Sequence, residues 1–120
     1  MKFYIAGPIS SNMDGYKKEF ERVEKLLQSL GFDTVSPAKL PLIGSKTNST
    51  KGIVWLNYMV RTLQMIAECN AVYFIRGWQQ SPGARIERIV AERLNLIIWE
   101  ERKTNNGGYI TCIISVRESP

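Results

Sequence analysis

The sequence predicts an α/β domain. The expected sheet is doubly wound and flavodoxin- or Rossmann-like, with about four parallel strands and three helices. One extra antiparallel strand is expected at its C-terminal edge. Two observations predict this. Short apolar runs bounded by Gly and Pro alternate with longer stretches of helical periodicity, as in βαβ units with helices on both sheet faces. The third such run, Ala71–Ile75, is apolar throughout, as a central parallel strand must be. At 120 residues, 44% hydrophobic and 22% charged, the chain has the length and composition of one domain with a real core. That domain is expected over 1–120, with its core in 2–99.

Lys2–Ala6 is short, apolar and closed by Gly7-Pro8, which reads as a buried strand. Residues 9–15 are turn-rich. Tyr16, Phe20, Val23, Leu26, Leu27 and Leu30 then recur at helical spacing until Gly31 ends the helix. Phe32–Ser36 is a second strand, closed by Pro37. A long polar loop is expected over 37–52, and such length in a small domain marks function or mobility. Residues 53–68 predict a second helix with Leu56, Met59, Leu63, Ile66 and Ala67 inward. After the strand Ala71–Ile75 and a loop from Arg76 to Pro82, Gly83–Leu94 predicts a third helix. Its inward residues are expected to be Ile86, Ile89, Val90 and Leu94. Leu96–Trp99 is the fourth strand. Glu100–Asn106 is polar, Gly107-Gly108 is a turn, and the strong strand 109–116 is expected to fold back as a hairpin.

Composition excludes several chemistries. The chain has no histidine and two cysteines, Cys69 and Cys112. Ser-His-Asp, Cys-His and histidine-metal sites are therefore absent, and no metal or other cofactor is expected. No apolar run approaches the ~20 residues of a membrane span, and the start is too short an apolar run for a signal peptide. The expected setting is the reducing cytoplasm. The net charge is +5, but Lys and Arg are scattered without a basic tail, which counts against a nucleic-acid polymer as partner. Between Asp33 and Glu68 there is no acidic residue, while Lys39, Lys46, Lys51 and Arg61 lie there. That segment suits a small anion as well as it does a polymer.

Open α/β sheets bind ligands beyond the carboxyl ends of their strands. Three features fall there. Gly7-Pro8 follows the first strand: glycine admits a close approach, and proline stiffens the turn. Ser81-Pro82-Gly83-Ala84-Arg85 opens the third helix, where unpaired amides can receive an anion and Arg85 adds charge. The bland reading of Ser81 is a helix cap. Glu87 follows about one turn into that helix. Aromatic residues also gather near this rim in sequence, namely Tyr4, Tyr16, Trp55, Tyr58 and Trp78.

Together the segments Phe3-Tyr4-Ile5-Ala6-Gly7-Pro8-Ile9-Ser10, Trp55 to Arg61, and Glu68 to Glu87 resemble the nucleoside 2-deoxyribosyltransferase superfamily. The likeness is nearest to short deoxyribosyltransferase-like proteins of bacteria and phages and to 2′-deoxynucleoside 5′-phosphate N-hydrolases. It covers residues 2 to about 99. The resemblance implies cleavage or transfer of an N-glycosidic bond in a nucleotide, with Glu87 as nucleophile. It implies that Ser81 and Gly83, with Arg85, hold a 5′-phosphate, and that Gly7, Pro8 and Ser10 shape the pocket. It also implies a homodimer, for which aromatics on the second helix would suit. The sequence departs from the family pattern at Thr62 and Asn70, where related proteins usually carry aspartates. Asp14 is then the remaining candidate acid, if the first loop folds over the site. The alternative reading is a non-catalytic protein of the same fold that sequesters a nucleotide.

Overall fold

The computed structural model describes residues 1–40 and 48–115, leaving aside the side chains of 48–53. Eight main elements follow in order: β1 (Lys2–Ala6), α1 (Tyr16–Ser29), β2 (Asp33–Val35), α2 (Asn48–Ala67), β3 (Ala71–Phe74), α3 (Pro82–Arg93), β4 (Ile97–Lys103) and β5 (Tyr109–Ser115). The sheet order is β2-β1-β3-β4-β5, parallel except for the antiparallel β4–β5 hairpin. The fold class and the antiparallel edge are those the alternation predicts.

Strand periodicity divides the core into two layers. Phe3, Ile5, Tyr73 and Ile75 face Phe20, Val23 and Leu27 of α1. Tyr4, Ala6, Val72, Phe74 and Ile98 face Ile66 of α2 and Ala91 of α3. α1 ends where Gly31 takes φ +90°, a conformation costly for other residues. Gly31 N–H then bonds the Gln28 carbonyl and Phe32 N–H the Leu27 carbonyl, satisfying two otherwise orphaned acceptors.

Three expectations need correction. First, α2 begins at Asn48, inside the stretch expected to be a loop to 52; residues 41–47 of that loop, with Lys46, lie outside the described residues. Second, the inward faces of the helices are displaced. Leu26 of α1 and Leu30 at its C-terminal cap are exposed, as are Leu56 of α2 and Ile89 of α3, with Leu94 at the C-terminal cap of α3. The buried residues of α3 are Ala84, Glu87 and Ala91. On α2, Met59, Thr62 and Ile66 are buried. In both helices a polar residue takes the centre of the inward stripe, and a count of apolar residues alone passes over it. Small alanines on α3 bring the helix close to the sheet and leave its larger aliphatics outside.

Third, the fourth strand does not stop at Trp99 but runs to Lys103. Its polar half is in the ladder because two buried carboxylates are matched there. Glu101, on the α1 face, accepts from both Arg22 terminal nitrogens at 2.9 Å, from Tyr73 O–H at 2.8 Å and from Arg76 N–H at 3.1 Å. Glu100, on the other face, accepts from Arg88 at 2.9 Å, Arg102 at 2.7 Å and the Trp78 indole at 3.2 Å. Burial raises the pKa of each acid, but these donors outweigh it and hold both below the usual carboxylate range.

A buried charge that loses its counterpart is costly, whereas an exposed pair contributes little. Arg22→Ala leaves the buried Glu101 carboxylate without its guanidinium and is expected to destabilise the fold by about 3 kcal/mol. Glu21→Ala, which breaks the exposed Glu21–Lys25 pair, should cost less than about 0.5 kcal/mol. Urea unfolding of the two variants side by side checks the contrast.

Candidate active site

The sheet order reverses between β1 and β3, and the crevice at their carboxyl ends is the natural ligand position in such sheets. Gly7 closes β1 there. A Cβ on Gly7 would lie 2.9 Å from Ile75 Cβ, so only glycine lets the two strand ends come this close. Gly77, at φ +84°, turns the chain after β3, and Pro8 Cγ stands 3.6 Å from where its Cβ would be. The loops after β1 and β3 are thus pressed together, and Gly7-Pro8 has a packing role.

Glu87 is buried, 5% exposed, and accepts a hydrogen bond from the Tyr4 hydroxyl through Oε2. Tyr4 is fully buried at the centre of β1. Thr62 of α2 is buried beside the pair, its hydroxyl donating to the Met59 carbonyl at 3.1 Å. Met59 in turn backs the start of α3, its Sδ 3.1 Å from where a Cβ on Gly83 would be. Three elements therefore converge on one carboxyl group. Among the described residues no cation pairs with it.

The electrostatics follow from that isolation. Burial pushes the Glu87 carboxyl up to about 7, while the Tyr4 and Thr62 hydroxyls hold it lower than burial alone would. Burial, then the nearby Glu87, keeps Tyr4 well above its ordinary value, so Tyr4 remains a donor. Tyr58, half-buried, is raised by burial and by Glu87 as well. A buried carboxyl poised near neutrality without a counter-cation is characteristic of functional acids and nucleophiles.

Ser81 caps α3, its Oγ accepting from Ala84 N–H at 3.3 Å, with Pro82 as the first helical residue. This matches the bland cap reading, and it leaves the Ser81 O–H free to donate. Pro82 has no amide proton and Ala84 is already paired, so Gly83 N–H is the first-turn amide left for a ligand. Arg85 is exposed on the same turn. Ser10 lies exposed in a single 3-10 turn, Ser10–Asn12, and Asp14 is exposed on the turn before α1. No described contact brings either to Glu87. Asn70 stands at the other end of β3, where its Oδ1 accepts from Lys2 N–H at 2.9 Å. It serves the sheet, not the crevice. Lys39 of the cationic segment is paired with Glu24 at 3.0 Å. Trp78 is held between Arg88 and Glu100 and is not free to stack on a ligand.

The family model for a domain of unknown function, DUF4406, matches residues 1–100. The chain belongs to the DUF4406 family. No curated protein matches this DUF4406 chain. Among solved structures, that of the 2-deoxyribosyltransferase from the psychrotolerant bacterium Bacillus psychrosaccharolyticus is similar to it with TM-score 0.58. The likeness covers 83% of this chain and 71% of that one at 20% identity, and it shows a shared fold. The DUF4406 match ends inside β4, so β5 lies beyond it.

The roles of Tyr4 and Thr62 beside Glu87 were not legible from the sequence. The available signals were a polar-tipped ring in an apolar central strand, and a threonine spaced three from Met59 and four from Ile66.

Because Glu87 is harder to ionise folded than unfolded, the native state binds its proton over pH ~4.5–7 and stability falls as pH rises through that window. Glu87→Gln keeps an acceptor for Tyr4 and removes this penalty. It should raise stability at pH 8, by on the order of 3 kcal/mol at most, and leave it nearly unchanged at pH 4. Melting curves at the two pH values check the sign.

Proposed function

We propose that this protein cleaves or transfers the N-glycosidic bond of a (deoxy)nucleoside 5′-monophosphate, with Glu87 as nucleophile. The observation that carries the reading is the buried Glu87 carboxyl, hydrogen-bonded by Tyr4 of β1 and free of any described cation. The deoxyribosyltransferase fold supports it.

The chemistry follows from the geometry. Tyr4 holds Oε2, and Oε1 is the oxygen left to attack the anomeric carbon. As that C–O bond forms, the C–N bond breaks, its electron pair leaves with the base, and the base takes a proton from solvent. Water, or a second base, then displaces the carboxylate from the sugar and regenerates it. Burial strengthens the interaction of the carboxylate with the positive charge developing on the sugar. Ser81 O–H, Gly83 N–H and Arg85 receive the 5′-phosphate, with the helix dipole adding to their pull. Gly7, Pro8 and Ser10 form the opposite wall. Asp14, exposed on the first loop, is the candidate that would replace solvent as proton donor if that loop closes over the base.

Thr62 favours a second reading. A buried hydroxyl stands where related proteins usually carry an aspartate, so the described cluster has one carboxyl group and no second acid. A nucleotide-sequestering protein needs no second acid.

Incubation with a panel of deoxynucleoside and ribonucleoside 5′-monophosphates, followed by chromatography, tests both readings. Wild type is expected to release free base and Glu87→Ala to lose at least 1,000-fold in rate, roughly the scale of a removed nucleophile. Equal rates in the two proteins would overturn the nucleophile. Stoichiometric ligand recovered intact, with no free base, supports the sequestering protein instead. Since the carboxylate is the attacking form, the rate should rise with pH through about 7. Ser81→Ala should raise KM for a monophosphate tenfold or more while leaving the corresponding nucleoside unchanged.

A further inference from the structure

β5 is the outermost strand of the sheet, and among the described residues nothing covers its free edge. Edge strands usually carry a charge, a proline or an inward lysine that prevents pairing with another chain. Tyr109-Ile110-Thr111-Cys112-Ile113-Ile114-Ser115 has none of these; its one irregularity is a register shift near its C-terminal end, where Trp99 pairs with Ile113 but Ile98 with Ser115. Tyr109, Ile110, Ile113 and Ile114 are exposed, so both faces of the strand are apolar and open to solvent. In a chain of net charge +5, this is a seven-residue segment with no charge at all.

Hydrogen-bond parity defines what the edge offers. Thr104 N–H bonds the Gly108 carbonyl at 2.8 Å, and the pairs Arg102↔Ile110 and Glu100↔Cys112 follow at steps of two. Even-numbered residues of β5 therefore turn their amides to β4. Tyr109, Thr111 and Ile113 turn theirs outward, as a row of unused donors and acceptors.

We infer that β5 is a homodimer interface, pairing antiparallel with β5 of a second copy about a two-fold axis at Cys112. The strand is complementary to itself in that register. Thr111 meets Ile113 on each side of the axis, in the regular part of the strand that precedes the register shift at Ile114, so β-branched side chains oppose one another and no like charges do. Two copies, each basic overall, meet where neither carries charge. The outward amides of Thr111 and Ile113 find the opposite carbonyls, and two five-stranded sheets become one of ten. Seven residues a side is small beside the ~20–30 of a standard interface, so the dimer is weak and reversible. Exposed Trp55, Leu56 and Val60 on α2 form a competing apolar face, but it brings no row of unused backbone groups.

Sedimentation across a concentration series tests the pairing, together with amide exchange read residue by residue. Ile113→Pro deletes an outward amide and leaves the inward ladder to β4 intact. Cys112→Lys places two like charges across the axis. The expected result is a concentration-dependent dimer of the wild type, weakened at least tenfold in either variant, with each variant's fold confirmed by its melting curve. Thr111 and Ile113 amides should become protected as concentration rises, while those of Ile110 and Cys112 are protected throughout. A wild type that stays monomeric at the highest attainable concentration would overturn the inference. So would a dimer that both variants leave unchanged, which would place the contact elsewhere, as on α2. Fast exchange of Thr111 and Ile113 at every concentration would overturn it too.

Discussion

A carboxyl group buried away from any cation must keep its proton or be surrounded by donors, and the contact between Tyr4 and Glu87 is how this fold meets that demand. Much of the local architecture serves it. Tyr4 is offered by β1, an inner strand of the sheet that is buried from Phe3 to Ala6. Ala84 and Ala91 bring α3 close enough for Glu87 to reach the strand. Gly7 lets the β1 end lie against Ile75, and Met59 fills the space under Gly83. Larger residues at Ala84 or Ala91 would hold α3 farther from the sheet.

The same domain buries two other carboxylates in the opposite way. Glu100 and Glu101 are neighbours on β4, so strand alternation sends them to opposite faces. Each is met there by an arginine of the helix on that face: Arg88 from α3 and Arg22 from α1. Those guanidinium partners fix the charge. Glu87 has hydroxyl partners only, which leave its protonation responsive to pH near neutrality. The contrast separates carboxylates that hold layers together from one whose protonation its surroundings leave open.

This difference also explains what the sequence made legible. Gly/Pro punctuation and the alternation of apolar strands with periodic helices are local signals, and they specify the fold class, the order of elements and the hairpin at the edge. Glu87 was found through its motif context. Hydrophobic periodicity, taken alone, turned it outward, because it scored Ile86, Ile89 and Leu94 as the inward stripe. The stripe contains Glu87 because tertiary partners offset its desolvation, and those partners are distant in sequence: Tyr4 lies 83 residues away. Glu100 and Glu101 were missed as strand residues for the same reason. Arg22 is invisible as the neighbour of Glu101, and Arg88 as that of Glu100, until the sheet is assembled. Asn70 shows the converse, since a family position read as chemical proved to be a tie between β1 and β3.

The parallel part of the sheet closes only after long stretches of chain have been brought together, because β1 must find β2 some thirty residues on and β3 almost seventy. β5 needs only the short turn after Lys103 to reach β4. Loop-closure entropy and contact order both favour that hairpin forming ahead of the parallel sheet. The segment with the most open apolar edge is thus the one whose structure depends least on the rest of the chain, and it is presented to other molecules from an early stage of folding.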